Sequence, residues 1–270
     1  MTLRNMILGV AGIAGLAMAA VVLPADAQSA GAALQAAIAG PQRSAANVAR
    51  DGARHPAASL AFWGLRAHMR VIEVAPGAGY WSEILAPYAK ATAGHYIAAQ
   101  GSPGQTLPAK FADKSVYGNF GYTVFSKTSG PMGPAGSADL VLTSRNIHNW
   151  LGPSGMARKF MDDAFAVLKP GGILAVSEHR ADPQVSTGNG YVTTATVVDL
   201  AKAAGFTLEA SSEINANAKD TKDHPFGVWT LPPTRRSAPA GQPANANFDH
   251  SKYDAIGESD RMTLRFRKPV

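Results

Sequence analysis

With 270 residues, 16% of them charged, the chain has room for one sizeable α/β domain with extensions. Its 25 Lys+Arg against 19 Asp+Glu give a mild net charge of +6, and no Lys/Arg run exceeds two residues. That excludes the dense basic stripe of a nucleic-acid groove, and zero cysteines exclude disulfides, a thiolate nucleophile and Cys-ligated metals.

The first 27 residues read as a leader. Met1 to Met6 carries one cation, Arg4, and no acid; Ile7 to Leu23 is small and apolar; Pro24-Ala25-Asp26-Ala27 offers an Ala-x-Ala site. Ile7 to Leu23 sits at the short end of the roughly 17–25 residues a spanning helix needs, so cleavage after Ala27 is expected rather than an anchor. The expected location is the periplasm, with membrane contact only through an uncleaved leader. Gln28 to Gly40 is Ala-rich and expected to fray. Arg43 to Arg54 predicts a polar helix with Arg43, Arg50 and Arg54 close to one face. Residues 28–59 therefore form a helical extension, either a lid over a ligand cleft or a helix packed on the sheet edge.

The domain proper is expected over residues 60–270. Val71 to Val74 is an apolar strand carrying one carboxylate, Glu73, and it breaks into Ala75-Pro76-Gly77-Ala78-Gly79. Trp81, Ile84, Leu85 and Tyr88 then recur with helical period. The glycines let the backbone turn sharply and approach a ligand, and the helix start adds free N–H groups. Further strands are predicted at Tyr96–Ala99, Tyr122–Phe125, Ala138–Thr143, Ile173–Ser177 and Phe206–Ala210. Helices are predicted at Gly155–Leu168, ended by Lys169-Pro170-Gly171-Gly172, and at Thr193–Ala204. Lys110 to Phe120 is ambiguous, Ile214 to His224 is polar, and 232–254 reads as a long functional loop. Met262, Leu264 and Phe266 alternate with polar residues in a final strand.

Strands alternating with helices imply a Rossmann-like doubly wound sheet, mostly parallel, with helices on both faces. Ligands of such sheets sit beyond the carboxyl ends of the strands. The loops there, Ser144 to Trp150 and Glu178-His179-Arg180, are rich in polar groups.

On these residues the chain resembles class I S-adenosylmethionine-dependent methyltransferases. Glu73-x-x-Pro76-Gly77-x-Gly79 is similar to their first motif, Asp139-Leu140-Val141 to their fourth-strand motif, and Leu168-Lys169-Pro170-Gly171-Gly172 to their fifth-strand entry. More narrowly, Arg145-Asn146-Ile147-His148-Asn149-Trp150, Glu178-His179-Arg180-Ala181 and Arg265 to Pro269 resemble a group of exported bacterial predicted methyltransferases. The resemblance implies about seven strands with an antiparallel last strand, and S-adenosyl-L-methionine as cofactor. It implies that Glu73, Gly77, Gly79, Tyr80, Gln100 and Asp139 face that cofactor. Departures are Ala75 at the usual first glycine and Gln100 where an acid commonly holds the ribose hydroxyls.

Methyl transfer needs alignment above all, and a general base where the acceptor is a hydroxyl, amine or thiol. His148 and His179 are the candidate bases, and each is also readable as a structural hydrogen-bonder. Arg145, Asn146, Asn149 and Arg180 are the candidate contacts to a small-molecule acceptor. The pattern supplies no His-x-x-x-His spacing, so no metal is expected. The alternative is an exported small-ligand-binding protein that keeps the fold without catalysis. A nicotinamide dehydrogenase fits poorly, because Ser82 stands at the third glycine of Gly-x-Gly-x-x-Gly.

Overall fold

The computed structural model describes residues 25–183 and 188–270. One sheet contains β1 Arg70–Val74, β2 His95–Gln100, β3 Gly121–Val124, β4 Ala138–Ser144, β5 Leu168–His179, β6 Thr207–Ser212 and β7 Arg261–Arg267. The spatial order is β3-β2-β1-β4-β5-β7-β6. β1 to β5 are mutually parallel, and β7 runs antiparallel to β5 and β6. The Rossmann-like doubly wound sheet is therefore present, with the last strand antiparallel and inserted inside the sheet. Its period-2 pattern persists there because Leu264 and Phe266 enter the core while Arg265 and Arg267 pair with Glu209 of β6.

Helices cover both faces: α1 Ala25–Ala39, α2 Ala45–Val48, α3 Asp51–Arg54, α4 Pro56–Phe62, α5 Ser82–Ala91, α6 Lys114–Tyr117, α7 Ile147–Trp150, α8 Met156–Val167, α9 Thr194–Ala203 and α10 Ser251–Ile256. In β1, Ile72 and Val74 join Phe160 and Met161 of α8 in one core, while Val71 joins Ile84 and Leu85 of α5 in the other. This alternation explains the continuous apolar reading of β1, a strand buried on both faces. Each such fully buried side chain stabilises the fold by about 1.5–3 kcal/mol.

Three expectations change. Gln28 to Gly40 does not fray: α1 lays Ala37, with Leu34 and Ile38, against the core that includes α5. Arg43 to Arg54 is not one polar helix. His55 takes a left-handed φ of 42° that ends α3, and Pro56 starts α4 at a position where its missing N–H costs nothing. Arg43, Asn47 and Arg54 are buried, so the segment wraps inward instead of presenting a solvated face. Finally β5 starts at Leu168, and the chain around Gly171 and Gly172 pairs with Lys268 beyond β7. The expected domain boundary at residue 59 falls inside α4, whose Leu60 is core. The loop at 232–254 runs into α10, and Arg235 pairs with Asp254 across it. The leader falls mainly on residues 1–24, outside the described residues, and α1 runs across the expected cleavage point after Ala27. Among the described residues, no helix is long and apolar enough to cross a membrane.

Candidate functional site

Strand order reverses between β1 and β4, so the loops leaving those two strands open a crevice. Ala75, Gly77 and Gly79 all adopt left-handed φ, at 54°, 58° and 90°. A Cβ built on Gly77 meets nothing within 4 Å, because the residue borders open space. A Cβ on Gly79 would lie 2.7 Å from the Phe111 ring. Gly79 is thus required by packing, and it does not line the cavity, contrary to the cofactor role expected for it. The cavity holds about 130 Å³ and is bordered by Glu73, Gly77, Tyr80, Arg145 and Asn146, with Arg50 and Arg54 from the N-terminal segment. From residues 28–59, Asn47, Arg50 and Arg54 border the cavity.

Glu73 sits on the cavity floor at 3% exposure. Its Oε2 accepts from Tyr96 Oη at 2.6 Å and from Ser82 Oγ at 2.8 Å. Burial pushes its pKa from 4.5 to about 7, against the opposing pull of those two hydroxyls and of Arg54. An acid raised in this way gives stability that is complete below pH 4.5 and lost as pH climbs through 7. Glu73→Gln keeps an acceptor for both hydroxyls and cannot ionise. Urea unfolding from pH 4 to 8 should therefore show wild type losing stability relative to Glu73→Gln as pH rises. A difference between the two that is constant with pH would refute the assignment.

The roof is tied to α5 and to the turn. Arg43 pairs with Asp51 at 2.7 Å and with Glu83, in the first turn of α5, at 3.3 Å. Tyr80 donates to Asp51 at 2.6 Å, and the Arg54 guanidinium lies 4.3 Å from its ring centre. Tyr80 borders the cavity and at the same time props up the arginines.

A second cavity of about 280 Å³ opens on the other side of the β4 loop, lined by His148, Leu151, Gly190, Tyr191, Val192 and Trp229 among others. His148 Nδ1 lies 2.9 Å from Glu178 Oε1, and the His148 backbone N–H donates to Glu178 Oε2 at 3.3 Å. Glu178 is fully buried and also accepts from the His179 N–H at 2.8 Å. A buried carboxylate facing Nδ1 fixes the tautomer that leaves Nε2 free to accept a proton. His179 is different. It is buried, its Nδ1 is joined to Ser259 Oγ, and it lines neither cavity. Burial first, then Arg145, His148, Arg261 and Arg54, hold its pKa well below the usual imidazole value. It stays neutral and packs 4.9 Å from the His148 ring, a supporting group and not the base.

His148, Glu178 and His179 offer ligand atoms that all lie within 4.8 Å of one another, the separation a metal would require. The carboxylate oxygens are already engaged by His148 and by two N–H groups. The three arginines acting on His179 add repulsion for a dication. The set is suited to moving a proton.

The remaining candidates scatter. Asn146 Nδ2 is within 3.1–3.3 Å of the carbonyls of Val74, Ala75 and Ser144, so its amide stitches β1 to β4 instead of reaching a substrate. Asn149 is exposed on α7 and lines neither cavity. Arg180 grips Asp260 through Nε at 2.9 Å and Nη2 at 2.8 Å, and Glu213 through Nη1, which makes it a strap between β5 and the chain before β7. Asp139 lies at the opposite end of its strand from the crevice. It accepts from the Arg70 N–H at 2.8 Å and pairs with Lys169 at 2.6 Å, which removes it from any cofactor role. Gln100 is 3% exposed at the end of β2, and its Nε2 is buried without a hydrogen-bond partner.

The sequence points to the loop holding Glu178 and to Arg50 and Arg54 in the N-terminal extension without assigning them a site role, and it does not point to Glu258. Glu178 had a signal: like Glu73, it is a lone acid ending an apolar strand. Glu258 had none, since only folding brings it to Arg50 and Arg54.

Comparison with solved structures comes down on one architecture. The [4+2]-cyclase SpnF superposes with TM-score 0.55 at 16% identity, covering 80% of each chain. An S-adenosylmethionine dependent methyltransferase from Mesorhizobium loti gives 0.51 at 14%, over 80% of this chain and 99% of that one. The 1,6-didemethyltoxoflavin-N1-methyltransferase of Burkholderia thailandensis, solved with 1,6-didemethyltoxoflavin and S-adenosylhomocysteine, gives 0.50 at 14%, over 84% and 79%. The fold is the class I methyltransferase fold. No family model matches the sequence, and a search of curated proteins finds no match. At these identities the likeness is one of fold, and a cyclase among the neighbours illustrates that a fold does not fix a reaction. The open space over Gly77 and the carboxyl of Glu73 border one cavity, whereas the orphaned Gln100 amide lines neither cavity. The roof confines the cavity to about 130 Å³, below the roughly 300–1,000 Å³ usual for small-molecule pockets.

Proposed function

We propose that this protein is an S-adenosylmethionine-dependent methyltransferase acting on a small molecule, with the donor over Gly77 and the acceptor in the cavity beside His148. The observation that carries the reading is the pairing of two features on adjacent strand ends. One is a glycine turn open to a ligand; the other is a histidine oriented by a buried glutamate next to a second cavity. S-adenosylmethionine supplies an electrophilic methyl on sulfur when bound. The chain's own residues do the rest. Glu73, on the cavity floor, offers an acceptor for the polar groups of the nucleoside and its amino-acid end. Trp229, Tyr191, Leu151 and Val192 exclude water around the acceptor. His148 Nε2 takes the acceptor's proton while Glu178 stabilises the resulting imidazolium.

The neighbour solved with bound 1,6-didemethyltoxoflavin and S-adenosylhomocysteine supports a small acceptor. No specific observation favours a ligand-binding protein without catalysis. The place of action follows from the leader: Arg4, the apolar run Ile7 to Leu23 and Ala25-Asp26-Ala27 support export to the periplasm. The narrower resemblance to exported bacterial predicted methyltransferases, carried by Arg145 to Trp150 and Glu178 to Ala181, points the same way.

A crystal structure with S-adenosylhomocysteine tests the reading. The expected result is the thioether beside Gly77 with its sulfur toward the His148 cavity. A nucleoside bound elsewhere on the chain would overturn it.

A further inference from the structure

The roof of the glycine-turn cavity holds more positive charge than its partners neutralise. The guanidiniums of Arg50, Arg54, Arg145 and Arg261 surround one carboxylate, Glu258. Arg50 Nε is 2.7 Å and Arg54 Nε 3.0 Å from its oxygens, Arg261 also bonds it, and Arg145 approaches only to 3.6 Å. Burial would raise the Glu258 pKa, yet the four arginines outweigh it and hold the group well below the usual carboxylate range. Four cations against one anion leave an excess of three. The next acid is Glu73, and even fully ionised it removes one. Asp51 and Glu83 are already committed to Arg43, Tyr80 and Lys110.

The excess has hydrogen bonds to give. Arg50 Nη2 and Arg54 Nη2, on side chains that line the cavity, are buried without a partner. Arg54 is only 5% exposed, and it lines the cavity together with Arg50, Arg145 and Gly77. Burial, and then repulsion from Arg50 and Arg261, lowers the Arg54 pKa to about 10 despite Glu258. Desolvated guanidinium donors crowded in this way are relieved by an oxyanion, which accepts several of them at once. The volume of about 130 Å³ suits a compact anionic group.

We propose that Arg50, Arg54 and Arg145 form an oxyanion site at the glycine turn, which takes a carboxylate or phosphate group of the ligand. The group has two sources within the methyl-transfer reading, the amino-acid carboxylate of the donor or an acidic group on the acceptor. The site itself does not depend on that reading.

The test is calorimetric titration of the whole protein with inorganic phosphate at low ionic strength. Wild type should bind saturably. Arg145→Gln, which gives up only the long contact to Glu258, should bind about tenfold or more weakly at unchanged melting temperature. Arg50→Gln should weaken binding similarly but also lower the melting temperature, since it gives up the 2.7 Å pair with Glu258. Arg158→Gln removes an equal charge from the exposed surface of α8 and should leave affinity unchanged. Absence of saturable binding to wild type, or equal weakening by Arg158→Gln and Arg145→Gln, would overturn the proposal. Repeating the titration with saturating S-adenosylhomocysteine separates the sources. Loss of phosphate binding assigns the site to the donor's carboxylate, and retained binding assigns it to an acidic acceptor. Phosphate binding in a protein that ignores S-adenosylhomocysteine keeps the oxyanion site and removes the methyl-transfer reading.

Discussion

His148→Ala should lower methyl transfer by about 10²–10⁴-fold, the usual contribution of a general base, without changing affinity for S-adenosylhomocysteine. The ring is set by its 2.9 Å contact with Glu178, a carboxylate with no solvent exposure. Removing the imidazole leaves Glu178 with the backbone N–H groups of His148 and His179, so the fold keeps most of its support there. Glu178→Gln preserves the shape and removes the negative charge that stabilises an imidazolium. It should therefore lose activity in the same direction but less completely. Release of S-adenosylhomocysteine in the presence of acceptor is the measurement. Wild-type turnover by His148→Ala would return His148 to a structural role.

Gly77→Val should abolish binding of S-adenosylhomocysteine, with affinity at least about 100-fold weaker, or roughly 2.7 kcal/mol. The branched side chain enters space where the protein has no atom within 4 Å of a Cβ, so it occupies the room the ligand needs. The φ of 58° adds roughly 1–2 kcal/mol of backbone strain, which lowers the melting temperature modestly. Gly79→Ala is the contrasting control, because its Cβ runs into Phe111 and its cost falls on packing. Unchanged affinity in Gly77→Val would place the nucleoside pocket elsewhere.

The comparison of these two glycines explains how far the sequence could be read. Period and turn chemistry are local properties, so the strands, the α5 and α8 helices and the β1 turn were all visible from the residues. What a turn residue faces is not local. Gly77 and Gly79 look alike in the chain, yet one borders open space and the other Phe111, some thirty positions on. Asp139 was misplaced for a related reason. A motif locates a strand without saying which end a residue occupies, and Asp139 lies at the end remote from the crevice. Arg180 reads as an acceptor contact in the sequence because its partners, Asp260 and Glu213, are brought to it only by the fold. The two histidines were legible as a pair, and their rings do meet. The buried carboxylate that separates their roles emerged only from side-chain geometry.

The Arg43–Arg54 segment shows the same limit. Three arginines near one face predict a single polar helix, and the pattern does not show which charges are buried. The partner of Arg54 is Glu258, more than two hundred residues along the chain. No spacing rule connects them, and their meeting closes the roof over the glycine turn.

The most direct measurement is calorimetric titration of the wild-type protein with S-adenosylhomocysteine. The expected result is saturable one-to-one binding, carried by the space over Gly77. A flat titration at millimolar ligand, in protein that melts cooperatively, would contradict it.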